Sequence, residues 1–283
     1  MKPSRWPLRI LALTLASATI VSAQTPAPPP KEDNPGRQAL NNYLNALAAK
    51  DTAARRETIA KITTRAQAIE RQREVRAKIL SLIGTLPERI PLNPRLTGST
   101  QLEGFRVDKV LFDSQPNFPI TALLYVPTST SANKFPAIVM APGHSPTGKA
   151  GDVAFATAFA KAGFIVLSYD PIGQGERLQY LDPKSDPAKP TSLAQRPTGE
   201  HGEAGLQPTL IGDALARYFL WDGMRAVDYL QSLPQVDPHR IGAFGCSGGG
   251  TMTALLGALD LRVAAVGVAC YTTSWDALLP SAT

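Results

Sequence analysis

Apolar positions change their spacing near residue 102, and the change divides the chain into two kinds of element. From residue 37 to about 82 they recur at helical intervals. Leu40, Tyr43, Leu44 and Leu47 mark one face; Ile59, Ile62, Ala66 and Ile69, then Val75, Ile79 and Leu82, mark another. Gly84 and Pro87 end the pattern. This N-terminal helical region, residues 37–90, reads as a layer packed on the main domain or as an arm contacting a partner. Beyond Leu102 the pattern is strand-like. Residues 105–112 and 120–126 predict an antiparallel pair turning at Pro116-Asn117. Apolar strands at 137–141, 164–169, 241–246 and 263–269 then alternate with helices at 153–162, 209–233 and 249–259. That alternation predicts an α/β fold, a mostly parallel sheet with helices on both faces. Ligands of such sheets bind beyond the carboxyl ends of the strands.

The first residues follow neither pattern. Lys2, Arg5 and Arg9 give a basic start, residues 10–21 are apolar, and Val21-Ser22-Ala23 supplies the small residues of a cleavage site. Residues 1–23 are thus a predicted signal peptide cleaved after Ala23, and the protein is expected to be secreted or periplasmic. The apolar run falls short of the about 20 residues needed to span a bilayer, so no membrane attachment is expected after cleavage. Residues 24–36, rich in Pro and charge, read as a flexible leader.

Composition narrows the picture. A hydrophobic fraction of 43% in 283 residues supports a buried core. Cleavage removes three basic residues and no acidic one, lowering the net charge from +6 to +3. No Lys/Arg cluster is interleaved with aromatics, so a nucleic-acid partner gains no support. No His/Cys cluster has ligand spacing, so neither a metal nor another cofactor is expected. The two cysteines, Cys246 and Cys270, would meet an oxidising compartment and have the option of pairing. Oligomeric state is not legible.

The chemistry concentrates at Gly245-Cys246-Ser247-Gly248-Gly249, a G-x-S-x-G pattern between a predicted strand and a predicted helix. Glycines remove Cβ atoms where the turn is tightest and leave Ser247 pointing outward as a candidate nucleophile. Gly248 then offers a backbone N–H at a helix start, where donors are unpaired and the dipole favours an anion, as half of an oxyanion hole. Cys246, one residue before the apex, reads as a small buried apolar residue. A competing pattern is "GHSPTGKA", residues 143–150, which matches the phosphate-cradling G-x-x-x-x-G-K loop between a strand and a helix. "FIVLSYD" likewise resembles a strand ending in a magnesium-handling Asp. Where that loop needs Ser or Thr, Ala150 stands instead, which disfavours a nucleotide hydrolase.

The stretches "FPAIVMAPGH", "GFIVLSYDPIGQGER", "DGMRAVDYLQSLPQVDPHRIGAFGCSGGG" and "VACYTTSW" resemble the α/β-hydrolase superfamily. Within it they are most similar to secreted carbohydrate esterases of the acetyl xylan esterase kind and the related dienelactone-hydrolase-like group. The resemblance runs from about residue 105 to the end of the chain. It implies an α/β-hydrolase domain over residues 102–283 and a serine ester hydrolase acting on a small-molecule or polysaccharide ester, such as an acetylated sugar. It also implies a second oxyanion donor in Gly143-His144-Ser145, from the backbone N–H of His144 or Ser145. The G-C-S start resembles glucuronoyl esterases too, in which a basic residue usually follows the serine; here Gly248 follows it. The loop 171–212, with Glu176, Arg177, Glu200 and His201, is expected to shape the substrate pocket.

In that fold the triad runs Ser, then Asp or Glu, then His along the chain. Here His144, His201 and His239 all precede Ser247. The expectation is therefore a chain lacking the last two strands and the acid–histidine pair, inactive alone, with the strand at 263–269 left as an edge. Asp276 is a candidate acid, or simply a carboxylate stabilised at a helix N-terminus. His239 lies at the amino end of its strand, away from the chemistry. His144 and His201 lie on the correct side, as substrate contacts or as the base. A hydrolase-like binding or scaffold protein without a working triad is the non-enzymatic alternative.

Overall fold

The computed structural model describes residues 35–128 and 134–281. The expected signal peptide and nearly all of the leader lie outside those residues. One sheet contains β1 (Arg95–Leu102), β2 (Phe105–Gln115), β3 (Phe118–Pro127), β4 (Phe135–Ala141), β5 (Ile165–Tyr169), β6 (Val236–Cys246) and β7 (Val263–Ala269), in the order β1-β2-β3-β5-β4-β6-β7. The β1, β2, β3 and β5 neighbours are antiparallel; β5, β4, β6 and β7 run parallel. The β2–β3 hairpin turns at Asn117, which takes φ 58.

Alternate residues of β4 serve opposite faces. Ala137, Val139 and Ala141 join a cluster with Trp221 and Val227 of α5 (Leu215–Ser232) and Met252 and Leu256 of α6 (Gly248–Leu259). Ile138 and Met140 join a second cluster with Ala156 and Ala160 of α3 (Val153–Lys161). Full burial of such aliphatic side chains contributes about 1.5–3 kcal/mol each, which is why the central strands show almost no polar residue. At the far edge, β7 is only half-covered, and Val266 is 50% exposed.

Two elements depart from the sequence expectation. β1 adds an edge strand beside β2; its side chains are almost all exposed, so it carries no apolar alternation. The helix expected over 209–233 is two helices, α4 (Pro197–Leu210) and α5. Gly212, at φ 72, turns the chain between them, and the Asp213 carboxylate accepts the Ala214 N–H and the Tyr218 hydroxyl to start α5 afresh. The N-terminal helical region is two helices, α1 (Pro35–Ala60) and α2 (Arg65–Ile83). A Thr64/Gln67 capping box opens α2 and Gly84, at φ 88, closes it. Ile79 and Ile83 seat α2 on the core, and Arg76 Nε donates to Ala258 O at 2.6 Å. α1 buries no side chain; Leu40, Tyr43, Leu44 and Leu47 are exposed, and Arg56 pairs with Asp276 of α7 (Trp275–Ser281).

Candidate active site

The carboxyl ends of β4, β5 and β6 bring three loops together. β6 ends at Cys246 and α6 starts at Gly248, so Ser247 alone reverses the chain. It takes φ 56 and ψ −118, a conformation that costs a side-chain-bearing residue about 1–3 kcal/mol. The turn is tied down by Ser247 N–H to Ala269 O at 2.9 Å and Thr251 N–H to Ser247 O at 3.1 Å. Gly249 lets α6 start against β4: a Cβ there would lie 2.0 Å from the Ala141 carbonyl oxygen. Ser247 is exposed. The Gly248 N–H, at the first position of α6, has no intrahelical acceptor.

The loop after β4 crosses this elbow. A Cβ on Gly143 would lie 2.9 Å from Cys246 O and 3.5 Å from Ser247 Cβ, so only glycine allows the approach. The Gly143 N–H is held by the Asp152 carboxyl, which is raised above its ordinary value by burial and pulled back by that bond. The Ser145 N–H donates to Gly143 O at 2.6 Å. The His144 N–H has no partner among the described residues, so of the two expected oxyanion donors it is the one left free.

A third loop, after β5, buttresses the second. Gln174 is buried and its Nε2 donates to Gly143 O at 2.7 Å and Ser145 O at 2.9 Å. Asp170, also buried, accepts the Lys149 ammonium, the Lys149 N–H at 2.7 Å, the Thr121 hydroxyl at 2.6 Å and the Glu176 N–H at 3.2 Å. The lysine of the G-x-x-x-x-G-K match is therefore buried against Asp170 and Glu176 rather than open to a phosphate.

The structure brings Ser247, Gly248, His144 and His201 together. A Cβ on Gly248 would touch the His144 ring, 2.6 Å from Cε1. The His144 and His201 ring centroids are 5.1 Å apart, and His201 also packs edge-on to Phe219 at 5.0 Å. His201 Nε2 lies 2.9 Å from Ile172 O, and burial lowers this imidazole below its ordinary value. Other expected residues are placed elsewhere. Arg177 turns inward, with Nη1 on Asp222 at 2.6 Å and on Asp170 O at 2.9 Å. Glu176 is exposed and pairs with Lys149; Glu200 is buried and accepts the N–H groups of Gln179 and Tyr180. Asp276 pairs with Arg56, away from Ser247's hydrogen bonds. His239 lines an apolar groove with Pro136 and Arg240, at the opposite end of the strands. Cys246 and Cys270 are free thiols hydrogen-bonded to each other. Lys149 and Asp170 enter the sequence reading only through the competing phosphate-loop pattern, and Gln174 not at all; the Gly-Gln-Gly spacing at 173–175 is the signal nearest to hand.

Among the described residues no cluster of His, Cys, Asp and Glu has metal-binding geometry, and no helix is long and apolar enough to cross a membrane.

The acetyl xylan esterase (AXE1) family model matches residues 85–272. An uncharacterized protein of Pseudomonas aeruginosa, PA2218, is 28% identical over 158 residues, 56% of this chain and 35% of that protein. "Putative hydrolase YtaP" of Bacillus subtilis is 26% identical over 202 residues, 67% of this chain and 61% of its own length. The chain thus spans 35% and 61% of these two curated relatives. A crystal structure described as a putative acetyl xylan esterase from Bacteroides fragilis superposes with a TM-score of 0.58 at 20% identity, covering 72% of this chain and 54% of that one. At that identity the likeness is one of fold, and it is the α/β-hydrolase fold that the sheet order displays.

Proposed function

Since the chain belongs to the acetyl xylan esterase family, we propose that it is part of a secreted serine esterase that removes acetyl groups from a carbohydrate, with Ser247 as nucleophile. The observation that carries this reading is the Ser247 backbone: an exposed serine held at φ 56 and ψ −118 between a strand end and a helix start. Such strain is maintained where presentation of the side chain matters.

In the proposed reaction Ser247 Oγ attacks the ester carbonyl. The carbonyl oxygen becomes an oxyanion and is received by the N–H groups of Gly248 and His144. These donors are oriented before the reaction begins, which is what makes them effective in a water-poor site; losing one costs about 100- to 1000-fold in kcat in a comparable hole. The alcohol leaves, and water releases acetate from the acyl-serine. A base must take the Ser247 proton and return it to the leaving alcohol. None of His144, His201 and His239 hydrogen-bonds Ser247 Oγ in the described structure, so the proposal takes the acid–histidine pair from outside these 283 residues. His144 and His201 then form one wall of the acyl or sugar pocket. Secretion rests on the signal-like residues 1–23.

The test uses the full-length protein carrying this chain. A fluorophosphonate should label Ser247, mapped by mass spectrometry, and acetylated xylan should release acetate. Ser247→Ala should abolish both. Acetate release unchanged in that variant sinks the reading.

A further inference from the structure

We propose that Gln174 is the positioning residue of the oxyanion hole. It rests on the reading of Ser247 as nucleophile and assigns a role that the elbow itself does not reveal. Residues 143–146 carry little secondary structure to fix their peptide planes; the segment between β4 and the single 3-10 turn at Gly148–Ala150 is a loop. Its planes are set instead by hydrogen bonds to its carbonyls: the Gly148 N–H on Ser145 O at 3.0 Å, the Gly175 N–H on Pro146 O at 3.2 Å, and the Gln174 amide on Gly143 O and Ser145 O.

The geometry is specific. A primary amide has two N–H donors on one nitrogen. Gln174 Nε2 directs both at this loop, to Gly143 O and Ser145 O. In a trans peptide the C=O and the next N–H point in opposite directions. Fixing Gly143 O on Gln174 therefore aims the His144 N–H away from Gln174. The same Gly143 O also accepts the Ser145 N–H, which removes that group from the set of available donors. Gly143 already faces the Cys246 carbonyl, at the base of the elbow, across a gap too narrow for a Cβ. One buried amide thus fixes the Gly143 carbonyl, and with it the direction of the one N–H that the Ser145 bond leaves free.

Gln174 is itself held. Its N–H donates to Pro171 O at 3.1 Å, its C=O accepts the Arg177 N–H at 2.9 Å, and the neighbouring Gly175 N–H donates to Pro146 O at 3.2 Å. No hydrogen bond reaches it from Ser247 or from either nearby histidine, so it acts through the loop and not on the substrate.

The test compares Gln174→Met, which keeps the length and removes both donors, with Gln174→Glu, which sets a carboxylate against two carbonyl oxygens. Both are made in the full-length protein. Fluorophosphonate labelling taken to its end point counts competent Ser247 sites; its rate and the kcat for acetate release are expressed per labelled site. The expected result is a kcat lower by about 10- to 100-fold, less than for outright loss of a donor, with KM within about twofold, and slower labelling to a near-full end point. A purely structural role would instead lower the end point and the melting temperature and leave kcat per site unchanged. If kcat per site stays within about threefold of wild type in whichever variants fold, the positioning role is overturned. Ser247→Ala is run beside them. Activity lost there but kept in the Gln174 variants removes only the positioning role; activity kept in Ser247→Ala removes the nucleophile reading and this one with it.

Discussion

Lys149→Met separates an internal ion pair from a phosphate cradle. Asp170 is inaccessible to solvent and collects one cation and three neutral donors: the Lys149 ammonium, two backbone N–H groups and the Thr121 hydroxyl. Methionine preserves the length and most of the bulk of lysine, so no sizeable cavity opens, and the neutral donors remain. What disappears is the charge that balances the carboxylate. Removing one partner of a buried pair costs about 3–5 kcal/mol, and the surviving donors place this case near the lower end. At about 2–4 °C per kcal/mol for a domain of this size, the melting temperature should fall by about 6–12 °C. Asp170→Asn should be milder, about 1–2 kcal/mol, because Lys149 keeps Glu176, whose side chain is 69% exposed. In the double variant the losses should fall short of additivity by about 1–3 kcal/mol, since neither charge is then stranded. Urea unfolding followed by circular dichroism gives all four corners of the cycle. A Lys149→Met loss below about 1 kcal/mol, or an additive cycle, would refute the pairing; a rise in melting temperature with MgATP would return the lysine to a nucleotide.

Two further outcomes follow from the site's titratable groups. His201 sits among His144, Phe219, Glu200 and the Ile172 carbonyl, and burial depresses its pKa below 6.5; the unfolded chain therefore takes up the proton first on acidification. Its contribution is complete above about pH 6.5 and is lost as pH falls through the folded-state value, so the melting temperature of wild type should drop more steeply below pH 6.5 than that of His201→Gln, and parallel curves would refute the assignment. The Cys246 thiol is pushed up to about 11, chiefly by its hydrogen bond with Cys270; iodoacetamide at neutral pH should therefore modify exposed Cys270 first, and peptide mapping that finds Cys246 alkylated faster would overturn that order.

The parts of the molecule that are legible in its sequence are those whose conditions are local or repeated. β4 and β5 are buried on both faces, so every position must be apolar or small, and the run announces itself. β1 is held by its backbone ladder to β2, which any exposed sequence satisfies, and it leaves no trace in the pattern. The break before α5 hinges on Gly212, one residue in an otherwise helix-compatible stretch. The elbow is legible because its requirement, a serine at an unusual φ flanked by residues without Cβ atoms, falls within five consecutive positions. Gln174 meets its partners only when β4 and β5 pair, and nothing near it in the chain declares the carbonyls of Gly143 and Ser145.

The G-x-x-x-x-G-K match shows the same division from the other side. A phosphate loop works because a glycine turn lets backbone N–H groups and a lysine converge on one anion. Part of that geometry is present here, with one N–H and the lysine supplied by the loop and a second N–H by Glu176 of the next loop. Gly148 takes φ 53, and a Cβ on it would lie 2.0 Å from Asp170 Oδ1; a Cβ on Gly175 would lie 2.2 Å from the same atom. The Lys149 N–H and ammonium and the Glu176 N–H close around the carboxylate. The sequence pattern marks the glycine turn and its lysine, because the turn chemistry is local. Which anion fills it depends on the strand that delivers Asp170 from 21 residues away. The cradle is occupied by the protein's own carboxylate, and its consequence is to lock together two neighbouring loops beside the elbow: the one bearing the His144 N–H and the one bearing Gln174.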